Sequence, residues 1–147
     1  MSKKINFNFE KPEEKLGYLL WQASMQWQRQ ANRALDEVGL TSTQFAILMA
    51  LAWLSRSSQT VTQKEIADNS KTDRMMVSKI LRTLEKKGLI VRKEHKTDTR
   101  AKCVLLTEKG VEILQRAIEI KEKANEIFFK NLSDRQNFSK ELSQLIE

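Results

Sequence analysis

Arg74, Lys79 and Arg82 follow the pair Thr72-Asp73 at spacings that set them along one helix, and a second basic cluster, Arg100-Ala101-Lys102, comes shortly afterwards. These residue types suit a polyanion. A guanidinium can pair two donors with guanine O6 and N7, while lysine and arginine also neutralise phosphates. The N-terminal half of such a helix presents Thr72, Asp73, Arg74, Met75, Ser78 and Lys79 to base edges in a major groove. Within it Arg74 suits guanine, Met75 can touch a thymine methyl, and Asp73 can meet a cytosine amino group although its charge repels phosphate. Lys79 and Arg82 lie further along, where phosphate contact is expected. In Asp98-Thr99-Arg100-Ala101-Lys102 the arginine suits a narrow, electronegative minor groove. A carboxylate two residues earlier can hold its guanidinium in position.

The charge distribution supports that reading. The chain of 147 residues carries a net +7, with 31% charged and 40% hydrophobic residues. Residues 63–102 hold twelve Lys/Arg against six Asp/Glu, so nearly the whole excess falls in forty residues. A concentrated basic excess is the electrostatic footprint of a polyphosphate partner, with a solvated basic surface as the alternative.

Catalysis has little to work with. One histidine, His95, and one cysteine, Cys103, cannot furnish a zinc site or a Cys–His nucleophile pair. Phosphate-cradling glycine loops and a Gly-x-Ser-x-Gly elbow are missing from the sequence. We expect no enzyme, no metal and no cofactor. The lone Cys103 excludes an intramolecular disulfide framework and suits a reducing cytoplasm. The longest apolar run, residues 45–54, is too short to span a bilayer, and the N-terminus lacks a signal-like apolar stretch.

Helices must position these groups. Leu16, Leu19, Leu20, Ala23, Trp27, Ala31, Ala34, Leu35 and Val38 recur at helical spacing and predict a helix over about 13–38, stopped by Gly39. Thr41 with Gln44, and Thr62 with Glu65, are capping boxes opening two further helices. Residues 60–62 form a short extended piece. After a tight turn at 70–72, with Thr72 as N-cap, the next helix runs to Lys87 and stops at Gly88. Its buried stripe is Val77, Ile80, Leu81 and Leu84. Residues 89–93 and 101–106 are hairpin strands with a basic tip, and Thr107 caps a long helix followed by a short one. The fold class is mainly α with a minor β component: a winged helix-turn-helix with long N- and C-terminal helices. Residues 39–107 form the DNA-binding lobe, and 1–38 with 108–147 a helical dimerisation region. The outer helices carry apolar stripes that one subunit alone cannot cover, which predicts a homodimer.

With these pieces assembled, the chain resembles the MarR family of bacterial and archaeal regulators. The residues carrying the resemblance are Leu16-Gly17-Tyr18-Leu19-Leu20, Gly39-Leu40-Thr41 with Gln44-Phe45, and Leu84-Glu85-Lys86-Lys87-Gly88-Leu89-Ile90. The wing pattern Asp98-x-Arg100 followed by Leu106-Thr107-Glu108-Lys109-Gly110 completes the set. The similarity runs from about Glu13 to the C-terminus. It implies a triangular homodimer on double-stranded DNA, a pseudo-palindromic operator, and transcriptional repression relieved by a small aromatic or phenolic effector. Trp21, Trp27, Phe45, Met49 and Trp53 are candidates to line an effector crevice, with ordinary core packing as the alternative. Family oxidant sensors place their cysteine near the start of the first helix. This chain has none there, and Cys103 reads as a small buried hydrophobe. The competing functions are a winged-helix protein–protein interaction module and a ligand-independent regulator.

Overall fold

The structure, a computed structural model, describes residues 3–94, 97 and 102–146. Its elements, in order, are α1 (Leu16–Leu35), α2 (Ser42–Ser55), α3 (Gln63–Ser70), α4 (Arg74–Lys86), β1 (Ile90–Glu94), β2 (Lys102–Leu106), α5 (Glu108–Phe128) and α6 (Arg135–Ser143). The winged helix-turn-helix expected from the sequence is therefore present. Among the described residues no single helix is long and apolar enough to cross a membrane.

Local chemistry sets the boundaries. The long first helix begins at Leu16 because Pro12–Glu14 close a separate 3-10 turn and Lys15 is extended. At its other end Asp36–Val38 tighten into a 3-10 turn, and Gly39 reverses the chain at φ 71°. Both capping boxes form: Thr41 Oγ1 accepts from Gln44 N while Gln44 Oε1 accepts from Thr41 N, each at 3.1 Å. Thr62 and Glu65 exchange the same pair at 3.2 Å. Each box satisfies two backbone donors that a helix start would otherwise leave unpaired.

The core gathers Leu35, Ile47, Leu48, Leu51, Ile66, Leu81 and Leu84, all fully buried, from α1 to α4. Each such side chain contributes about 1.5–3 kcal/mol of burial. Val77, Leu81 and Leu84 seat α4 in this core, with Ile80 half-buried beside them. β1 and β2 pair antiparallel, Ile90 opposite Leu106 and Glu94 opposite Lys102. Residues 60–62 extend β2 on its other edge, where Val104 N donates to Val61 O at 2.8 Å and Thr62 bridges to Cys103. Cys103 is thus paired by its backbone on both sides. Its thiol is free and buried, in keeping with a packing role.

α1 packs against α5, and the α1 stripe divides in two. Ala31 and Leu35 are buried, whereas Leu16, Leu19, Leu20 and Ala23 stay exposed. α6 buries none of its residues.

Candidate nucleic-acid interface

The turn into α4 differs from the sequence expectation in one respect: the N-cap is Asp73 and not Thr72. Lys71 adopts a left-handed conformation (φ 55°), and Thr72 N closes back on Ala67 O at 3.0 Å. This places Asp73 in the extended position, where Oδ1 accepts from Met75 N at 2.9 Å and Met76 N at 3.2 Å. A carboxylate also complements the positive end of the helix dipole, which a hydroxyl does less well. Thr72, half-buried, instead donates its hydroxyl to Ser70 O at 3.1 Å.

From that cap α4 presents two faces. Opposite the buried stripe lie Met75, Lys79, Arg82 and Lys86, spaced four, three and four residues apart and all exposed. Arg74 is exposed at the helix start and Ser78 is half-buried. Among the described residues, Arg74, Lys79, Arg82 and Lys86 form no ion pair. Four unpaired cations on and beside one helical stripe present an open positive surface. Lys86 is not among the side chains singled out from the sequence, although its seven-residue spacing from Lys79 places it on the same stripe. Lys87 next to it is not available: its ammonium reaches Gly39 O at 2.6 Å and Gln44 Oε1 at 3.1 Å, tying α4 to the start of α2.

The hairpin is fixed beside this face. Arg92 on β1 is only 15% exposed in its side chain and reaches Glu85 Oε1 at 3.0 Å through Nη2. Its backbone N–H also donates to Glu85 Oε2 at 3.2 Å, and its Nη1 to Gln63 Oε1 on α3 at 3.3 Å. One side chain thereby joins α3, α4 and β1. Hydrogen bonds from Arg92 hold the Glu85 carboxyl below its ordinary value of 4.5. At the hairpin base, Thr107 Oγ1 donates to Gly88 O at 2.6 Å, and Lys109 Nζ to Lys87 O at 3.1 Å. The Thr107-Glu108-Lys109-Gly110 segment thus anchors β2 and α5 to the end of α4. Lys93 on β1 and Lys102 on β2 are exposed at the end of the hairpin nearest the connecting loop. Asp98 and Arg100, assigned to the wing tip from the sequence, lie outside the described residues, as does His95.

The five aromatic and apolar candidates for an effector crevice are treated unequally. Trp27 and Phe45 converge on Lys121, whose Nζ lies 4.0 Å and 5.7 Å from the two ring centroids. The Trp27 indole N–H donates to Asn125 Oδ1 at 2.9 Å, so α5 holds this ring at its edge and on its face. Met49 is half-buried against the core. Trp53 is 56% exposed and is stacked by the Arg56 guanidinium, and Trp21 is 62% exposed. Lys121 is not among the residues singled out from the sequence, yet its spacing signals burial: it falls on the same face of α5 as Leu114, Ala117 and Ala124. Burial pushes its ammonium below 10.5. Among the described residues no cluster of His, Cys, Asp and Glu could hold a metal ion.

Comparison with known proteins gives this geometry a context. The pattern that defines the MarR family matches residues 40–102. An HTH-type transcriptional regulator of Bacillus subtilis (strain 168), YdcH, is 41% identical over 139 residues, covering 95% of each chain. The transcriptional repressor CouR, bound to a 23-mer DNA duplex, is 31% identical with a TM-score of 0.76, over 90% of this chain and 91% of that one. A MarR variant from E. coli in complex with operator DNA shares the fold, with a TM-score of 0.81 at 21% identity over 90% and 94% of the two chains.

Proposed function

This chain belongs to the MarR family of DNA-binding transcriptional regulators, and on that premise we propose that it is a repressor that holds a pseudo-palindromic operator as a homodimer. The observation carrying this is the stripe of Lys79, Arg82 and Lys86, with Arg74 beside it, exposed on the helix that follows the turn and without an ion pair among the described residues. A helix of this kind fits a major groove, with its first turn at base edges and later cations on phosphates. In this reading Thr72, Asp73, Arg74, Met75 and Ser78 lie against the bases, and Lys79, Arg82 and Lys102 against the backbone. Arg100, oriented by Asp98, enters the neighbouring minor groove; this assignment rests on sequence.

The lobe that binds DNA is 39–107, and the helices of 1–38 and 108–147 make the dimer. In support, Leu16, Leu19 and Leu20 of α1 face Phe138, Leu142 and Leu145 of the C-terminal segment across an apolar groove of about 570 Å³. A second copy would cover that surface, and a two-fold dimer sets half-sites about one helical turn apart. Release is by a small aromatic or phenolic compound. CouR from Rhodococcus jostii RHA1 is known bound to p-coumaroyl-CoA. Here the Trp27–Lys121–Phe45 group, which ties α5 to α1 and α2, offers rings and a counter-charge to such a ligand.

Exposed Met75 and Met76 are what a protein–protein interaction module would display, but the surrounding cations favour a polyanion. The deciding experiment measures duplex affinity against salt, with sedimentation of the free protein alongside. Counterion release predicts a steep loss between about 50 and 200 mM salt. A flat response would reject DNA as the partner. Sedimentation as a monomer at micromolar concentration would reject the dimer.

A further inference from the structure

We propose that Met75 and Met76 form an apolar reading pair for thymine methyl groups, so that each operator half-site is specified partly by thymines in the major groove. The inference rests on the DNA-binding reading above and deepens it. The first turn of α4 has an unusual surface. Met75 is 82% exposed and Met76 51%, whereas Met25 and Met49 are half-buried. Met75 shares its stripe with Lys79, Arg82 and Lys86, the cations best placed to hold phosphates. Any duplex seated on those cations lies across Met75 as well.

The cap decides what this turn can offer. Asp73 Oδ1 accepts from both Met75 N and Met76 N, so its carboxylate is turned toward the backbone and fixes the two residues relative to each other. Arg74 and the two thioethers stand exposed beside it. A thioether donates no hydrogen bond and accepts only weakly, so it is poorly suited to reading amino groups or carbonyls. The thymine C5-methyl is the apolar feature of the major groove. Moving it and a flexible methionine out of water together is favourable and independent of salt.

The test needs the intact protein and a duplex recovered by selection from random sequences. Each thymine is replaced in turn by deoxyuridine, which removes only the C5-methyl. The wild-type protein should lose about fourfold in affinity at one or two positions of each half-site, as expected for one methyl-sized group left unburied. Met75→Ala and Met76→Ala should each bind thymine and uracil equally at one such position, and Met75→Leu should keep the discrimination. Because both side chains are exposed in a helix, alanine leaves the fold intact. Tolerance of uracil everywhere, or discrimination that survives in the double alanine variant, overturns the proposal while leaving DNA binding standing. Failure to bind any duplex overturns both.

Discussion

The Arg92 guanidinium and the Glu85 carboxylate meet at 3.0 Å, and through them the first strand of the hairpin is locked to the helix that precedes it. Gln63 completes the joint by accepting from the same guanidinium. The spacing between α4 and the hairpin is therefore governed by side chains, in addition to the turn at Gly88.

Arg92→Met should destabilise the protein by about 1 kcal/mol, since the pair is partly solvated. It should also weaken DNA binding more than that loss of stability explains. The contribution of Glu85 is present above its ordinary value of 4.5 and fades as pH falls through the lower value of the folded state. Glu85→Gln should accordingly flatten the acid limb of the stability profile between about pH 5 and pH 3, read by urea unfolding. An unchanged acid limb would remove the pair from this role.

Lys121 has the opposite pH signature. Its folded-state value is pushed below 10.5, so between the two values the unfolded chain binds the proton more readily. Stability should gain from this group as pH rises through that window. Lys121→Met should abolish the gain, measured as the difference in unfolding free energy between about pH 7 and pH 10. An identical difference in the variant would refute the buried-ammonium account.

Gly110→Ala should cost about 1–3 kcal/mol, the range for a forced overpacking. A Cβ at this position runs into the Leu89 carbonyl, which is backbone and already accepts from Thr107 N. Thermal unfolding checks this. A neutral result would mean that the α5 start can shift away from the hairpin base without loss.

Arg74→Ala and Lys79→Ala should separate base reading from phosphate holding. The first should cost about 1–3 kcal/mol on the operator and relax preference at one base pair. The second should weaken binding on all duplexes about equally and lower the salt slope by about one. Equal losses for Arg74→Ala on operator and random DNA would place its guanidinium on phosphate.

Much of the architecture was legible from local signals. Capping boxes at Thr41 and Thr62, glycines at 39 and 88, and the period of Val77, Leu81 and Leu84 act within a few residues, so sequence spacing reads them directly. The N-cap of α4 lies one residue beyond the sequence expectation, at Asp73. Thr72 and Asp73 are both good caps, and only the left-handed turn at Lys71 decides between them.

The amino-acid sequence alone determined the order of elements, the basic stretch and the face of α4 that carries it. Tertiary structure decided which charges are engaged. Arg92, Lys87 and Lys121 look like any other cations in the sequence, yet one locks the hairpin, one braces α2, and one is buried between aromatic rings. Those roles depend on partners from other elements, Glu85 for the first, Gly39 and Gln44 for the second, Trp27 and Phe45 for the third. Contacts between residues far apart along the chain arise when the helices pack, and no short-range pattern encodes them.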